Sequence, residues 1–343
     1  MKEYGSDFHV CGMDYRIPSN LFNNIGNFRF YACGRHAIDA IILQEGWKRI
    51  WIPAYFCYEV INHIKQLGIE IIFYDDNPLC EDDDILVRNL PYRERDVLLR
   101  MNYFGLRNRR SNKCISVPVI EDHSHDLFSN WSLNSDADWC IASVRKSLPV
   151  AAGGILWSPL GKRLPDQIES TGLCERMASI RYDAMRIKSD YLKMDGDKTA
   201  FREKYIQSER MLAQLPLSGM DKESFASLLT IDLKQWIYRR FENWNAAIDM
   251  LNRRFVILKS LDIEYWQPFS LVFLCESFEE RMALRQYLIK NCIYPAILWE
   301  ILDNSHFMNA LDFSRRMLSI PCDARYNQEQ IKKMCSIINS FYD

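Results

Sequence analysis

Two short apolar runs, and the polar residues that end them, constrain this chain more than any other feature. Val117–Ile120 leads into Glu121 and Asp122; Trp139–Ala142 leads into Ser143. Lys146 follows in a loop that reaches Gly153, Gly154 and a third apolar run. Runs this short, bounded by polar turns, suit strands buried on both faces of a mainly parallel sheet. In such sheets the polar residues at the carboxyl ends of strands face the crevice where ligands sit. An acid and a lysine leaving neighbouring strand ends fit one chemistry in particular. The lysine forms a Schiff base with pyridoxal phosphate, and the acid keeps the pyridinium nitrogen protonated.

The flanking sequence supports an α/β plan. Ile38, Ile41 and Ile42 fall at helical spacing with Arg35, and Gly34 stands where that helix begins, leaving backbone N–H groups free for an anion such as phosphate. Arg49–Ile52 reads as a strand, Phe56–Leu67 as a helix stopped by Gly68, and Ile69–Tyr74 and Asp96–Asn102 as strands. The acidic Glu81–Asp84 reads as a solvated turn, and the N-terminal stretch as a polar arm. Alternating strand and helix signals up to Trp157 imply βαβ units. Helical patterns then dominate from 168 to 261, broken near Leu215–Gly219. Strand signals return at Ser270–Cys275 and Met317–Ile320, and helical ones at Glu279–Lys290 and Gln328–Phe341. A large domain over 1–240 and a smaller C-terminal α/β domain over 241–343 are expected, the boundary lying within a long helix.

A chain of 343 residues is long for one core. Its 48% hydrophobic and 26% charged residues are ordinary for a globular protein, and a net charge of −2 makes no case for nucleic acid or an anionic membrane as partner. No apolar run reaches the roughly 18 residues of a membrane span, and the N-terminal sequence lacks the pattern of a secretory signal, so a cytoplasmic protein is expected. The 11 cysteines lie more than four residues apart. That excludes a CxxC motif and reads as reduced core thiols.

In order, CGRHAIDAI, IPAYFCYEVINHIKQLGIEIIFYD, NYFG, VIEDHSH, SVRKSLPVAAGG, IYPAILW and LSIPCDARY resemble the DegT/StrS family of pyridoxal-phosphate sugar aminotransferases. The resemblance spans nearly the whole chain and is densest from 30 to 157. It implies the aspartate-aminotransferase-like PLP-transferase fold, a homodimer, an amino donor such as glutamate and a nucleotide-linked keto sugar as acceptor. It puts Lys146 at the Schiff-base position and Asp122 against the pyridinium. Gly34, Arg35, His36, Tyr55, Cys57, His125 and Ser143 would surround the cofactor, and Asn102, Tyr294 and Trp299 the substrate. Cys57 stands where the family carries an aromatic ring stacked on the cofactor, which leaves Tyr55 or Phe56 for that face. The VAAGG loop lacks the family's glutamate. LPLSGM (215–220) lacks the Asn and Arg that reach a neighbouring subunit's phosphate.

Rival readings attach to the same residues. Asp122 would serve equally as a helix cap, and His123 and His125 as surface histidines. A dehydratase, aldolase or racemase would use the same scaffold, although dehydrating relatives replace the lysine by histidine. A silent relative is a further reading. Glu121, Asp122, His123, His125 and Asp126 offer ligands for a metal-dependent hydrolase, but two histidines two apart need further ligands that the sequence does not identify. No metal is expected.

Overall fold

A computed structural model of the chain describes residues 3–11, 22, 25–81, 83–194, 196–252, 254–258, 267–302 and 306–343. The strands are β1 (Tyr4–Gly5), β2 (Phe28–Tyr31), β3 (Arg49–Pro53), β4 (Glu70–Tyr74), β5 (Asp96–Met101), β6 (Val119–Asp122), β7 (Trp139–Ser143), β8 (Gly154–Trp157), β9 (Leu271–Leu274), β10 (Ile293–Tyr294) and β11 (Met317–Ile320). The helices are α1 (Gly34–Glu45), α2 (Tyr58–Lys65), α3 (Asp83–Arg88), α4 (Asn130–Leu133), α5 (Val144–Ser147) and α6 (Gly172–Lys193). They continue as α7 (Thr199–Ala213), α8 (Lys222–Thr230), α9 (Leu233–Met250), α10 (Phe278–Lys290), α11 (Met308–Arg316) and α12 (Gln328–Asn339).

Seven strands form one sheet in the order β2-β8-β7-β6-β5-β3-β4. Five of them, β7-β6-β5-β3-β4, run parallel, and β8 lies antiparallel between β7 and β2. Side chains alternate across the sheet with the period of two that a pleated strand imposes. Ile50, Ile52, Leu99, Ile120, Ile141 and Leu156 enter one core, together with Ile38 and Ile41 of α1. Trp51, Leu98, Val119, Cys140, Ala142, Ile155 and Trp157 enter the other, which Trp236 of α9 helps to close. Both faces are therefore dry, and the runs read as continuous apolar stretches for that reason. A third core forms around β9 and β11, which pair antiparallel, with α10, α12 and the later half of α9. Trp236 and Trp244, two turns apart on α9, belong to different cores.

The chain departs from its sequence reading in two places that matter. The N-terminal stretch is not merely a polar arm: Tyr4 is buried in the third core, and β1 pairs in parallel with β10. Phe28–Phe30, read as the end of the same arm, form with Tyr31 the edge strand β2. The second departure is the acidic stretch. Asp82 lies outside the described residues, but Asp83 is buried and opens α3. Arg100, on the fully buried strand β5, must be neutralised, and it donates to Asp83 (2.6 Å) and Asp84 (2.5 Å). Arg110 also pairs with Asp83 at 2.8 Å. Against burial, Arg107, Arg100 and Arg110 hold the Asp83 carboxyl below the ordinary range.

Removing one member of a buried ion cluster strands the rest without partners. Asp83→Asn should cost about 3 to 5 kcal/mol of unfolding free energy, read from urea denaturation against the parent protein.

Candidate active site

The register of β6 against β7 brings the two strand ends together. Asp122, the last residue of β6, pairs with Ile141, and β7 ends two residues later at Ser143. Along β6 and the turn beyond it, neighbouring side chains take opposite sides. Glu121 and His123 point beneath the sheet edge, while Asp122 and Ser124 line a small cavity of about 60 Å3 with Ser143, Lys146, Gly34, Arg35 and Cys57. Lys146 sits on α5, half-buried, its Nζ 5.4 Å from the centre of the Trp299 ring.

One side of this cavity is the start of α1. Its N-cap, Cys33, makes no side-chain cap, and no acid stands in the first turn. The first amides therefore lack intrahelical partners and carry the positive end of the helix dipole. Gly34 lets the helix start press against the end of β7: a Cβ there would lie 3.3 Å from the Ser143 Cβ. Gly154 closes the other side, where a Cβ would lie 2.1 Å from the Cys33 carbonyl oxygen. Backbone amides, a serine hydroxyl and a lysine amine facing one space form a donor set suited to a phosphate beside an aldehyde.

Asp122 accepts from the Ser124 amide at 2.8 Å through Oδ1, while its Oδ2 makes no hydrogen bond among the described residues. It caps no helix: the next one, α4, is capped by Ser129. The Ser124 hydroxyl in turn accepts from the Ser143 amide at 2.9 Å, tying the two strand ends together.

His125 is buried, with its ring against Phe269 (4.3 Å between centroids) and parallel to Trp299 (5.3 Å). Nδ1 accepts from the Phe104 amide at 3.2 Å, which assigns the proton to Nε2. That Nε2 is buried without a partner. Burial first, and the nearby Lys146 charge second, push the His125 pKa well below its ordinary value. The ring is thus a neutral donor.

His123 is its opposite. It lies between Asp126 (2.9 Å) and Glu121 (3.1 Å), and although burial opposes its charge, those acids and Cys140 raise its pKa well above the ordinary value. Neither histidine is at the surface. The cluster proposed for a metal is thereby split, with Asp122 and His125 directed away from Glu121, His123 and Asp126. Glu121, His123 and Cys140 do lie within ligand range of one another, but His123 is already bonded to both acids.

Other residues singled out in the sequence lie elsewhere. The His36 side chain turns from the cavity to hold the 215–218 stretch, donating to Leu215 O (3.1 Å) and accepting from the Ser218 amide (3.3 Å). Arg35 lines the cavity but donates to Leu212 O at 3.1 Å. Tyr55 is buried, with its hydroxyl on Leu298 O and its ring 5.7 Å from Trp299. Asn102 is spent within the protein, donating to Asp126 (2.8 Å) and accepting from the Arg107 amide (2.9 Å). Tyr294 accepts from Lys198 at 2.8 Å and lines a second, larger cavity of about 370 Å3. Lys146 and His125 also line that second cavity, so Lys146 stands between the two spaces.

No protein-family model matches the sequence, and no curated protein does. Solved structures match over nearly the whole chain. CalS13, a sugar aminotransferase of Micromonospora echinospora, is 13% identical, with 98% of this chain and 99% of that one covered at a TM-score of 0.64. A DegT DnrJ EryC1 StrS aminotransferase of Brucella abortus is 12% identical, with 96% and 91% covered at 0.61. Spr1654 of Streptococcus pneumoniae, assigned as a sugar aminotransferase and solved in its PLP form, is 15% identical, with 94% and 88% covered at 0.65. The chain has the aspartate-aminotransferase-like fold.

Within this fold the sequence reading missed Ser124 and Phe269. Ser124 was legible as the hydroxyl two residues after a strand-end acid. Phe269 reaches His125 from a distant segment, and no local pattern marks it.

The two histidines make a sharp contrast by NMR. At pH 6 the His125 ring should be the neutral Nε2–H tautomer, while His123 should remain an imidazolium above pH 7, read from 15N shifts of the labelled rings. The stability His123 contributes is fully present below its unfolded pKa of about 6.5 and is lost as pH rises through its raised native value.

Proposed function

We propose that the protein is a pyridoxal-phosphate-dependent aminotransferase that moves an amino group from an amino acid to a keto sugar. The observation that carries this reading is the single cavity shared by Lys146, Asp122 and the uncapped start of α1. The sugar acceptor is supported by the sugar aminotransferases among the matching structures; a nucleotide-linked sugar and a homodimer belong to the same reading.

Bound there, pyridoxal phosphate would supply an electrophilic aldehyde and a ring able to accept the electron pair released at the donor's Cα. The α1 amides and the Ser143 hydroxyl would hold its phosphate, and Asp122, fixed through Oδ1 by the Ser124 amide, would hold the proton of its ring nitrogen. His125, a neutral Nε2–H donor beside Lys146, would offer it one hydrogen bond. Lys146 would supply the amine that binds it and the base that moves a proton. Trp299 and Phe269 stack on His125 and hold its ring in place. Cys57 lines the cavity and contributes a thiol where a stacked ring would otherwise lie. The stretch 215–220 is bound to its own chain: the Ala32 amide donates to Ser218 O, and the Gly219 amide to Glu169 O. With neither lysine nor arginine in it, the stretch offers no cationic side chain to a neighbouring subunit's phosphate.

The purified protein supplied with pyridoxal phosphate should show a visible absorption band that borohydride bleaches, and peptide mapping should place the pyridoxyl group on Lys146. Its appearance on Lys113 or Lys162, or on no lysine, rejects the assignment. Asp122→Asn should keep the fold and the cofactor yet slow half-transamination by several orders of magnitude. A near-normal rate removes Asp122 from the chemistry. Light scattering should give a dimer at micromolar concentration.

A further inference from the structure

Strand β8 runs from Gly154, at the smaller cavity, to Trp157, where it opens on a third cavity that the proposed chemistry leaves unused. Three residues of strand place the two about 10 Å apart. The third cavity measures about 550 Å3, within the range of sites for small organic ligands. Arg29 of β2 lines it with Lys162 and Arg163 of the loop after β8, and among the described residues no acid does. Lys162 is partly balanced by Asp138 at 3.4 Å. Glu121, behind Ser135 in the wall, is taken by His123 and by the Ser135 hydroxyl. Arg29 and Arg163 have no ion pair among the described residues. Two positive charges therefore face this space without a counter-charge.

These cations are fixed by the fold itself. Arg29 is half-buried; its Nε donates to Pro165 O and its Nη1 to Phe28 O, each at 3.0 Å. Its Nη2 makes no hydrogen bond among the described residues. The loop that carries the other two is pinned as well. Ser158 Oγ donates to Asp138 O (2.7 Å) and accepts from the Lys162 amide (2.8 Å). Arg163 O accepts from Gln44 Nε2 at 3.0 Å. Donors held in advance lose little freedom when a ligand binds. A planar guanidinium presents a fork of N–H groups that matches phosphoryl oxygens. A carboxylate would answer only one of the two free arginines, whereas a phosphoryl group carries about two negative charges at neutral pH. Leu133 and Trp157 add an apolar wall for an organic body.

We propose that this cavity is a second ligand site, separate from the one at Lys146, and that it binds a phosphoryl-bearing small molecule through Arg29, Lys162 and Arg163. The proposal stands apart from the aminotransferase reading, since no residue of the cavity lines either space beside Lys146. The phosphoryl group could come from free diphosphate or from a nucleotide, and the two are told apart by titration.

Calorimetric titration with inorganic pyrophosphate tests it. The protein is first supplied with pyridoxal phosphate, reduced with borohydride and dialysed, so that bound cofactor keeps the smaller cavity filled. Uridine diphosphate and uridine are the comparison ligands. The double variant Lys162→Gln/Arg163→Gln changes two exposed side chains and leaves the backbone bonds of the loop in place, so it should melt at the parent temperature. It should bind pyrophosphate about tenfold or more weakly, as expected for the loss of charge-assisted hydrogen bonds, and Arg29→Gln should do the same. Uridine diphosphate bound more tightly than pyrophosphate, and weakened by the same variants, makes the ligand a nucleotide. Uridine diphosphate bound no more tightly assigns the site to the phosphoryl group alone. The proposal is overturned if the parent protein does not bind pyrophosphate, if the double variant binds it undiminished, or if uridine binds as tightly as its diphosphate. A protein that gives no bleachable band is titrated in the same way: the loss in the double variant still locates the site, and only the aminotransferase reading falls.

Discussion

The close approach of the Gly154 backbone to the turn before α1 is the contact on which the rest of the site depends. No side chain fits between Gly154 and the Cys33 carbonyl, so β8 and the helix start lock together. Gly34 allows the same helix start to lie against Ser143. These two contacts fix where the amides of α1 point relative to the ends of β6 and β7. A methyl group at Gly154 would meet the Cys33 carbonyl oxygen at 2.1 Å and push the helix start outward, away from Lys146.

Beneath that joint lies the polar network that holds the β6 turn in shape. His123 is clamped between Asp126 and Glu121. Glu121 also accepts from Asn112 (2.7 Å) and Ser135 (2.6 Å), and Asp126 from Asn102 and Ser129. Each of these acids has several donors, the condition under which buried charge is tolerable. The turn so fixed carries His125 into its aromatic stack on the other side. Tight polar satisfaction below thus orients an unsatisfied donor above, and the same division repeats at Asp122, with one oxygen bound and the other open.

The parts of this arrangement set by short-range pattern could be read directly from the residues. The buried parallel strands follow from apolar runs of four to six residues, and Asp122, Ser143 and Lys146 follow from where those runs stop. Helix α1 follows from Gly34 and the isoleucine spacing. The edge strand β2 escaped notice because four residues, Phe28–Tyr31, form it next to a polar stretch. Asp83 was misjudged because an acidic run is usually solvated, and only the arginines on β5 and beyond it make burial favourable. His36 and Asn102 carry the right chemistry at the right place in the chain. Their side chains are drawn off by Leu215 and Ser218 in one case, and by Asp126 and Arg107 in the other.

The sequence alone determined which residues end the strands, because the period of two along a buried strand and the polar stop are local properties of the chain. It therefore determined the sheet class and the pairing of an acid with a lysine at one edge. Only the tertiary structure decided what stands around that pair. The tautomer of His125 depends on an amide 21 residues away. The place of the His36 ring depends on Leu215 and Ser218, 179 and 182 residues away, having taken both of its nitrogens. Neither follows from spacing, because each is the outcome of competition among distant groups for one partner.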